Sequence, residues 1–196
     1  MIPQKQLNFP ESKYLSVYEM GQSLIIEIKY SKLKAFAIIG FSLVWALITF
    51  IVSSAFIIQE NLLEPPFRGE SFLLLFFLLF YVIGLFTFYC GLTYLFNKTT
   101  IEIAYGEIII SIKPLPWFGN KTINTSEIKQ IYVKERSSTN KNGQTTYSYD
   151  VMLINKQENK TKLLSSLDSS NIAKFIEQKL EKFLKIQNVP VDGEYQ

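Results

Sequence analysis

Residues 35 to 58, AFAIIGFSLVWALITFIVSSAFII, and residues 71 to 96, SFLLLFFLLFYVIGLFTFYCGLTYLF, run for 24 and 26 positions without a charged side chain. A helix needs roughly 20 apolar residues to cross the hydrocarbon core of a bilayer, so each run is long enough to span one. A helix in a soluble core would carry a polar face at helical period, and neither run does. The first run follows 34 residues and exceeds the roughly 7 to 15 apolar residues of a secretory signal. The small-x-small pattern at Ser53 and Ala55 is therefore not read as a cleavage site, and the segment is expected to be retained.

Between the runs, residues 59–70 (QENLLEPPFRGE) contain Pro65 and Pro66, which stop a helix, so an antiparallel pair of spans is expected. Lys29, Lys32 and Lys34 precede the first run and Lys98 follows the second, whereas the connection holds only Arg68 against Glu60, Glu64 and Glu70. Basic flanks stay on the cytoplasmic side, so both termini are expected there, in a multi-pass protein of the inner or plasma membrane. The net charge of +3 divides into +2 over residues 1–34, −2 over 59–70 and +3 over 97–196. A basic cytoplasmic side faces anionic headgroups, and membrane lipid is the expected partner; the charge is far below a nucleic-acid footprint.

Histidine is absent, and the one cysteine, Cys90, lies inside the second run. These two facts remove zinc sites, Ser-His and Cys-His nucleophile pairs, haem ligation by histidine and the commonest proton shuttle, so no cofactor or metal is expected. Asp150, Glu102 and Glu107 fall on ordinary strand positions with no spacing suited to general acid and base work, so a non-catalytic role is expected. Within the runs, Gly40, Ser42, Thr49, Ser53, Ser54, Gly84, Thr87, Gly91 and Thr93 are small or weakly polar and allow close helix packing. No ionisable group lies inside either run to anchor an ion pathway.

Outside the apolar runs the chain alternates at a period of two. Residues 1–13 form a loose arm, and residues 14–34 contain a β-hairpin around Gly21 and Gln22. An isolated hairpin is marginal in water, so it is expected to dock on the domain after the second span. That domain, residues 97–187, holds about six strands. TTIEIAY and EIIISIK flank Gly106, PLPWFGN turns a corner, and KTINTSEI and IKQIYVKERS follow; TYSYDVMLINK and KTKLLSSL lie beyond the Asn142-Gly143 turn signal. The period then changes to helical over residues 168–186, with Ile172, Ile176, Leu180 and Leu184 on one face and a Glu181–Lys185 pair assigned to the wet face. Residues 188–196 are read as a tail.

Six or seven antiparallel strands followed by one amphipathic helix is the plan of a pleckstrin-homology-like barrel. The order TTIEI, GEIIISIKPLPWFGNKTINTSEIKQIYVKE, YDVMLIN, KLLSSLDSSNIAKFIEQKLEKFL resembles that of bacterial, cyanobacterial-type membrane proteins with two spans followed by a pleckstrin-homology-like domain, many of them uncharacterised. The resemblance implies an α+β membrane protein: a two-helix transmembrane hairpin, plus an antiparallel barrel capped by a C-terminal amphipathic helix. It supplies no catalytic residues.

Two groups of residues are candidates for contact with a partner or lipid. Trp117 and Phe118, flanked by proline and glycine, are either a rigid exposed anchor or the cover of a barrel corner. Lys134, Arg136 and Lys141, set against Glu135, lie on a loop that is either a solvated hairpin tip or a site for lipid phosphates. The expected function is a binding or assembly module at the membrane surface, with a protein partner or self-association. The alternative is an accessory subunit of a larger complex, or a homo-oligomer built through the spans.

Overall fold

The computed structural model describes residues 14–60 and 72–195. The expected arm, and the expected connection from residue 61 onward, lie outside the described residues, while Gln59 and Glu60 belong to the first helix. The chain divides into two compact units. One gathers the residues up to Ile28, Thr99–Ile112 and those from Phe118 on; the other gathers Lys29–Lys98 and Lys113–Trp117.

The sheet unit contains strands β1 (Leu15–Met20), β2 (Ser23–Lys29), β3 (Lys98–Ala104), β4 (Glu107–Lys113), β5 (Lys121–Asn124), β6 (Ile128–Thr139), β7 (Thr145–Asn155) and β8 (Lys160–Leu167), then helix α3 (Ser170–Leu184). Alternation decides which face each strand buries. Leu24, Ile26 and Ile28 of β2, Ile101 and Ile103 of β3, and Ile108 and Ile110 of β4 all enter one core. The turn between β3 and β4 has two residues, Tyr105 (φ 52°) and Gly106 (φ 80°). Two consecutive positive φ values match the twist of a tight hairpin, and glycine adopts one at no steric cost.

These strands form two antiparallel sheets, β1-β2-β3-β4-β5 and β6-β7-β8, not the closed barrel expected from the sequence. The physical reason lies between β5 and β6. After only four residues of β5, the Asn124 side chain accepts from the Ser126 amide and caps a 3-10 turn at Thr125–Glu127. That turn redirects the chain, so β6 pairs with β7 alone. The outer strands β5 and β8 meet through a side chain, the Lys121 ammonium donating to the Lys162 carbonyl. In β2 and β3 the sheet joins a strand from before the apolar helices to one from after them, so the N-terminal hairpin is part of the sheet.

Helix α3 lays Ala173, Phe175, Ile176 and Leu180 into the core beside Ile131, Val133, Val151 and Leu153. Burial of this apolar stripe, at roughly 25 cal/mol per Å², is what holds a helix that would be marginal alone. The helix ends with Lys185 in the left-handed conformation (φ 56°) and the Ile186 amide donating to the Glu181 carbonyl at 3.0 Å. Glu181 is buried, not on the wet face, because the stripe is wider than the Ile172–Ile176–Leu180 row and includes the adjoining Ala173–Glu177–Glu181 row. Beyond the helix the segment read as a tail folds back, and the Tyr195 amide donates to the Val133 carbonyl at 2.8 Å.

The helical unit contains α1 (Lys32–Glu60) and α2 (Phe72–Phe96). They run antiparallel: Ile39 meets Gly91, Trp45 meets Phe80 and Gly84, and Phe56 meets Phe77. Ala35, Ser42 and Thr49 on α1, and Phe77, Gly84 and Gly91 on α2, are buried at seven-residue intervals, the seam of a left-handed helix pair. A Cβ on Gly91 would stand 2.6 Å from Ile39 Cγ1 and 3.2 Å from the Ile39 backbone nitrogen, so only glycine admits this approach. The Trp45 ring stacks on Phe80 at 5.4 Å and its indole N–H donates to the Phe80 carbonyl at 3.1 Å; Ser53 Oγ and Tyr81 Oη lie 2.9 Å apart. Because the obstruction at Gly91 includes backbone, Gly91→Leu should force the helices apart. The expected loss is about 2 kcal/mol, read as a lower thermal midpoint of the full chain in detergent, with Gly40→Leu, where a Cβ meets nothing within 4 Å, as the near-neutral control.

Candidate functional site

The stretch KPLPW belongs to the helical unit. Asn97, 4% exposed, clamps it: its Nδ2 donates to the Leu115 carbonyl at 3.0 Å, and its Oδ1 accepts from the Leu115 amide at 2.7 Å. Tyr89 of α2 donates its hydroxyl to the Pro116 carbonyl at 2.6 Å, and its ring lies 6.2 Å from that of Trp117. Prolines at 114 and 116 have no backbone donor, and the amide between them, Leu115, is the one Asn97 takes. Trp117 is thus half-buried against the end of α2, whereas Phe118 is 84% exposed.

The three basic candidates do not converge. Lys134 is exposed where β6 leaves the core, and Lys141 is exposed in the 140–144 turn, where Asn140 Oδ1 accepts the amides of Asn142 and Gln144. Arg136 is committed elsewhere. Its Nε donates to Asp150 Oδ2 at 2.9 Å and its Nη2 to Asp150 Oδ1 at 3.1 Å. Asp150, 1% exposed, also takes Lys162 Nζ at 2.9 Å and the Ser166 amide at 2.9 Å. Burial alone would raise the Asp150 pKa, but the Ser166 amide and the charges of Lys162 and Arg136 outweigh it and hold the carboxyl below its ordinary 3.8. Ser166 adopts φ 58° at a register irregularity in β8, which aims its amide at Asp150. Nearby, burial and then the charge of Lys162 lower the Lys121 pKa.

Sequence reasoning missed a second acidic centre. Glu177 and Glu181 of α3 are 3% and 4% exposed. Gln130 Nε2 of β6 donates to Glu181 Oε1 at 3.0 Å; the Val133 amide serves Glu177, whose Oε1 has no partner. Burial first, then the charges of Glu181 and Glu194, push Glu177 up to about 8, against the opposing pull of Lys174 and the Val133 amide. Burial and Glu194 push Glu181 to about 7. The available signal was the i,i+4 spacing from Ala173 through Glu177 to Glu181, next to the apolar row.

On the same side a cleft of about 770 Å³ opens between Ile128, Gln130 and Ile154 on the sheet, Leu184 at the end of α3, and Ile186 and Val189 on the returning segment. Lys129 at its rim is paired with Glu158, and Lys156 and Lys185 add positive charge. Among the described residues no group of three His, Cys, Asp or Glu is arranged to hold a metal ion. The site offers two buried carboxyls held above the ordinary carboxylate range and a partly apolar cleft whose lining carries Lys129, Lys156 and Lys185 together with Glu158 and Asp192. No protein-family model matches the chain, and no curated protein matches it either.

Asp150→Ala strands Arg136 and Lys162 beside Lys121 and leaves the Ser166 amide unpaired. It should cost about 3 kcal/mol, read by chemical denaturation. A carboxyl with a depressed folded pKa contributes stability that is present above its unfolded pKa and lost as pH falls through the folded value. The native chain should therefore lose stability on acidification below about 3.8 in a limb that Asp150→Asn lacks.

Proposed function

We propose that the chain is a multi-pass integral membrane protein of the inner or plasma membrane with both termini cytoplasmic. Its sheet unit is read as a pleckstrin-homology-like domain acting as a non-catalytic binding or assembly module. One observation carries the membrane reading. In the most apolar windows of α1 and α2 only 17% and 11% of residues are buried, where a core helix of a soluble protein would be mostly buried. Phe41, Leu47 and Phe50 on α1, and Leu75, Leu85 and Phe86 on α2, are all more than half exposed, a surface that calls for lipid around it. The polar exceptions are satisfied locally: Ser42, Ser53, Thr87 and Thr93 donate to helix carbonyls three or four residues back.

The module reading rests on how the chain is threaded. Only Tyr30 and Ser31 separate β2 from α1, and only Asn97 separates α2 from β3. The sheet unit is thus joined to the helices by links of two residues and one residue. The two antiparallel sheets with a C-terminal helix packed on their core support a pleckstrin-homology-like reading and placement among the two-span bacterial proteins that carry such a domain. The exposed Phe118 and Lys141 are the contact residues that this reading favours.

In the test, the full-length tagged chain is taken from its native membrane in mild detergent, and co-purifying proteins and lipids are identified by mass spectrometry. The expected result is carbonate-resistant membrane association and a stoichiometric protein partner or defined oligomer, with Phe118→Ala lowering recovery of the partner about tenfold. Release of the chain by carbonate as a soluble monomer would overturn the membrane reading. Enrichment of one anionic lipid, lost in Lys141→Ala, would move the contact from protein to headgroup.

A further inference from the structure

β6 is the edge strand of its sheet, since the order β6-β7-β8 leaves one side of it without a neighbouring strand. At Val133 that edge is occupied from elsewhere. The Val133 carbonyl accepts the Tyr195 amide at 2.8 Å, and its amide serves the Glu177 carboxyl. The segment 186–195 that brings Tyr195 back is tied at its start by the Ile186 amide on the Glu181 carbonyl, and it packs Ile186 and Tyr195 partly buried against the core. Tyr195 packs edge-on against Tyr149 of β7 at 5.0 Å, and Lys174 of α3 sits 5.0 Å above its ring. Glu194 Oε2 accepts the Val191 amide at 3.0 Å, within the segment itself. Beneath it lie the two buried carboxyls of α3, one of them with an unpartnered oxygen.

We propose that residues 186–195 are a proton-operated latch over the free edge of β6, closed while Glu177 and Glu181 carry protons and released when both ionise. The groups acting on Glu177 are Glu181 and Lys174 of α3, Glu194 of the segment and the Val133 amide of β6; Glu181 faces Glu194 and Gln130 of β6. Glu135 of β6 and Tyr149 of β7 act on the Tyr195 side of the latch. Lys174 is the one cation in this set, so ionisation leaves as many as three carboxylates against a single ammonium, two of them buried beneath the segment. Lifting residues 187–195 hydrates them and breaks one backbone bond to β6 and the partly buried packing of Tyr195, whereas α3 keeps its anchors Ala173, Ile176 and Leu180 and the Ile186–Glu181 bond at its end. Release exposes Val133 and removes the outer wall of the cleft, formed by Ile186 and Val189.

The direction follows from linkage. Both carboxyls bind protons more tightly with the latch closed than an ordinary glutamate at 4.5, so closure is complete at low pH and is lost as pH rises through about 7 and about 8. Each titrating carboxyl changes the open-to-closed ratio by up to about tenfold per pH unit. The inference stands on the sheet unit alone and is independent of the membrane reading.

Hydrogen exchange of the full chain in micelles, from pH 6 to 9, tests it against Glu177→Gln/Glu181→Gln under identical conditions, so that intrinsic exchange cancels. Protection of Tyr195 and its neighbours should fall ten- to a hundredfold more in the native chain than in the variant, while Ile176 and Leu180 amides stay protected in both. Parallel profiles, or loss of α3 protection together with the segment, would overturn the latch. Carbon NMR of glutamate side chains in the unaltered chain covers a variant that does not fold. Two carboxyls titrating near 7 and 8 together with movement of the Tyr195 resonances support the proposal, and titration of every glutamate below 5.5 would sink it.

Discussion

The pairing of β2 with β3 is the constraint on which both units depend. These strands are consecutive in the sheet and are separated in the chain by α1 and α2, so the helical excursion must return to its starting point. An antiparallel helix pair meets that demand. The heptad-spaced seam of Ala35, Ser42 and Thr49 against Phe77, Gly84 and Gly91 keeps the two helices in register, so that they begin and end together. Tyr30 and Tyr94, whose rings lie 5.4 Å apart, mark the end where the chain enters and leaves.

Two buried acidic centres in the sheet unit have opposite electrostatic character. Asp150 is surrounded by donors, two of them cations, and ionises more readily than a free aspartate. Glu177 and Glu181 are surrounded by apolar side chains and other carboxyls, with Gln130 and one backbone amide as donors, and so retain their protons toward neutral pH. Desolvation acts on all three; what differs is the balance of charge, two cations and an amide on Asp150 against one cation, Lys174, facing three carboxyls around Glu177 and Glu181. The first centre fastens β6, β7 and β8 across their outer face, and the second joins α3 to β6.

Much of the plan was legible in the residues. Two uncharged runs of bilayer length, strands alternating at a period of two, and the change to helical period before Ile172 correspond to the two long apolar helices, the antiparallel sheets and α3. The candidate site was less legible. Arg136 reads as a free basic residue on a loop, and only the register of β6 with β7, together with the irregularity of β8 at Ser166, brings it, Lys162 and a backbone amide to Asp150. Trp117 reads as a corner between strands, yet its surroundings are Tyr89 and the segment clamped by Asn97.

Local pattern decides the type of an element and which of its faces turns inward, because periodicity is a property of neighbouring residues. It therefore settled the apolar character of α1 and α2 and the alternation of the strands. Which element covers which face is decided by packing between residues far apart in the chain. That packing split eight strands into two sheets at the Asn124-capped turn, carried Glu177 and Glu181 indoors, and laid the C-terminal segment against Val133. The protonation of a buried carboxyl depends on the dielectric and the charges around it, and neither exists until the chain has folded.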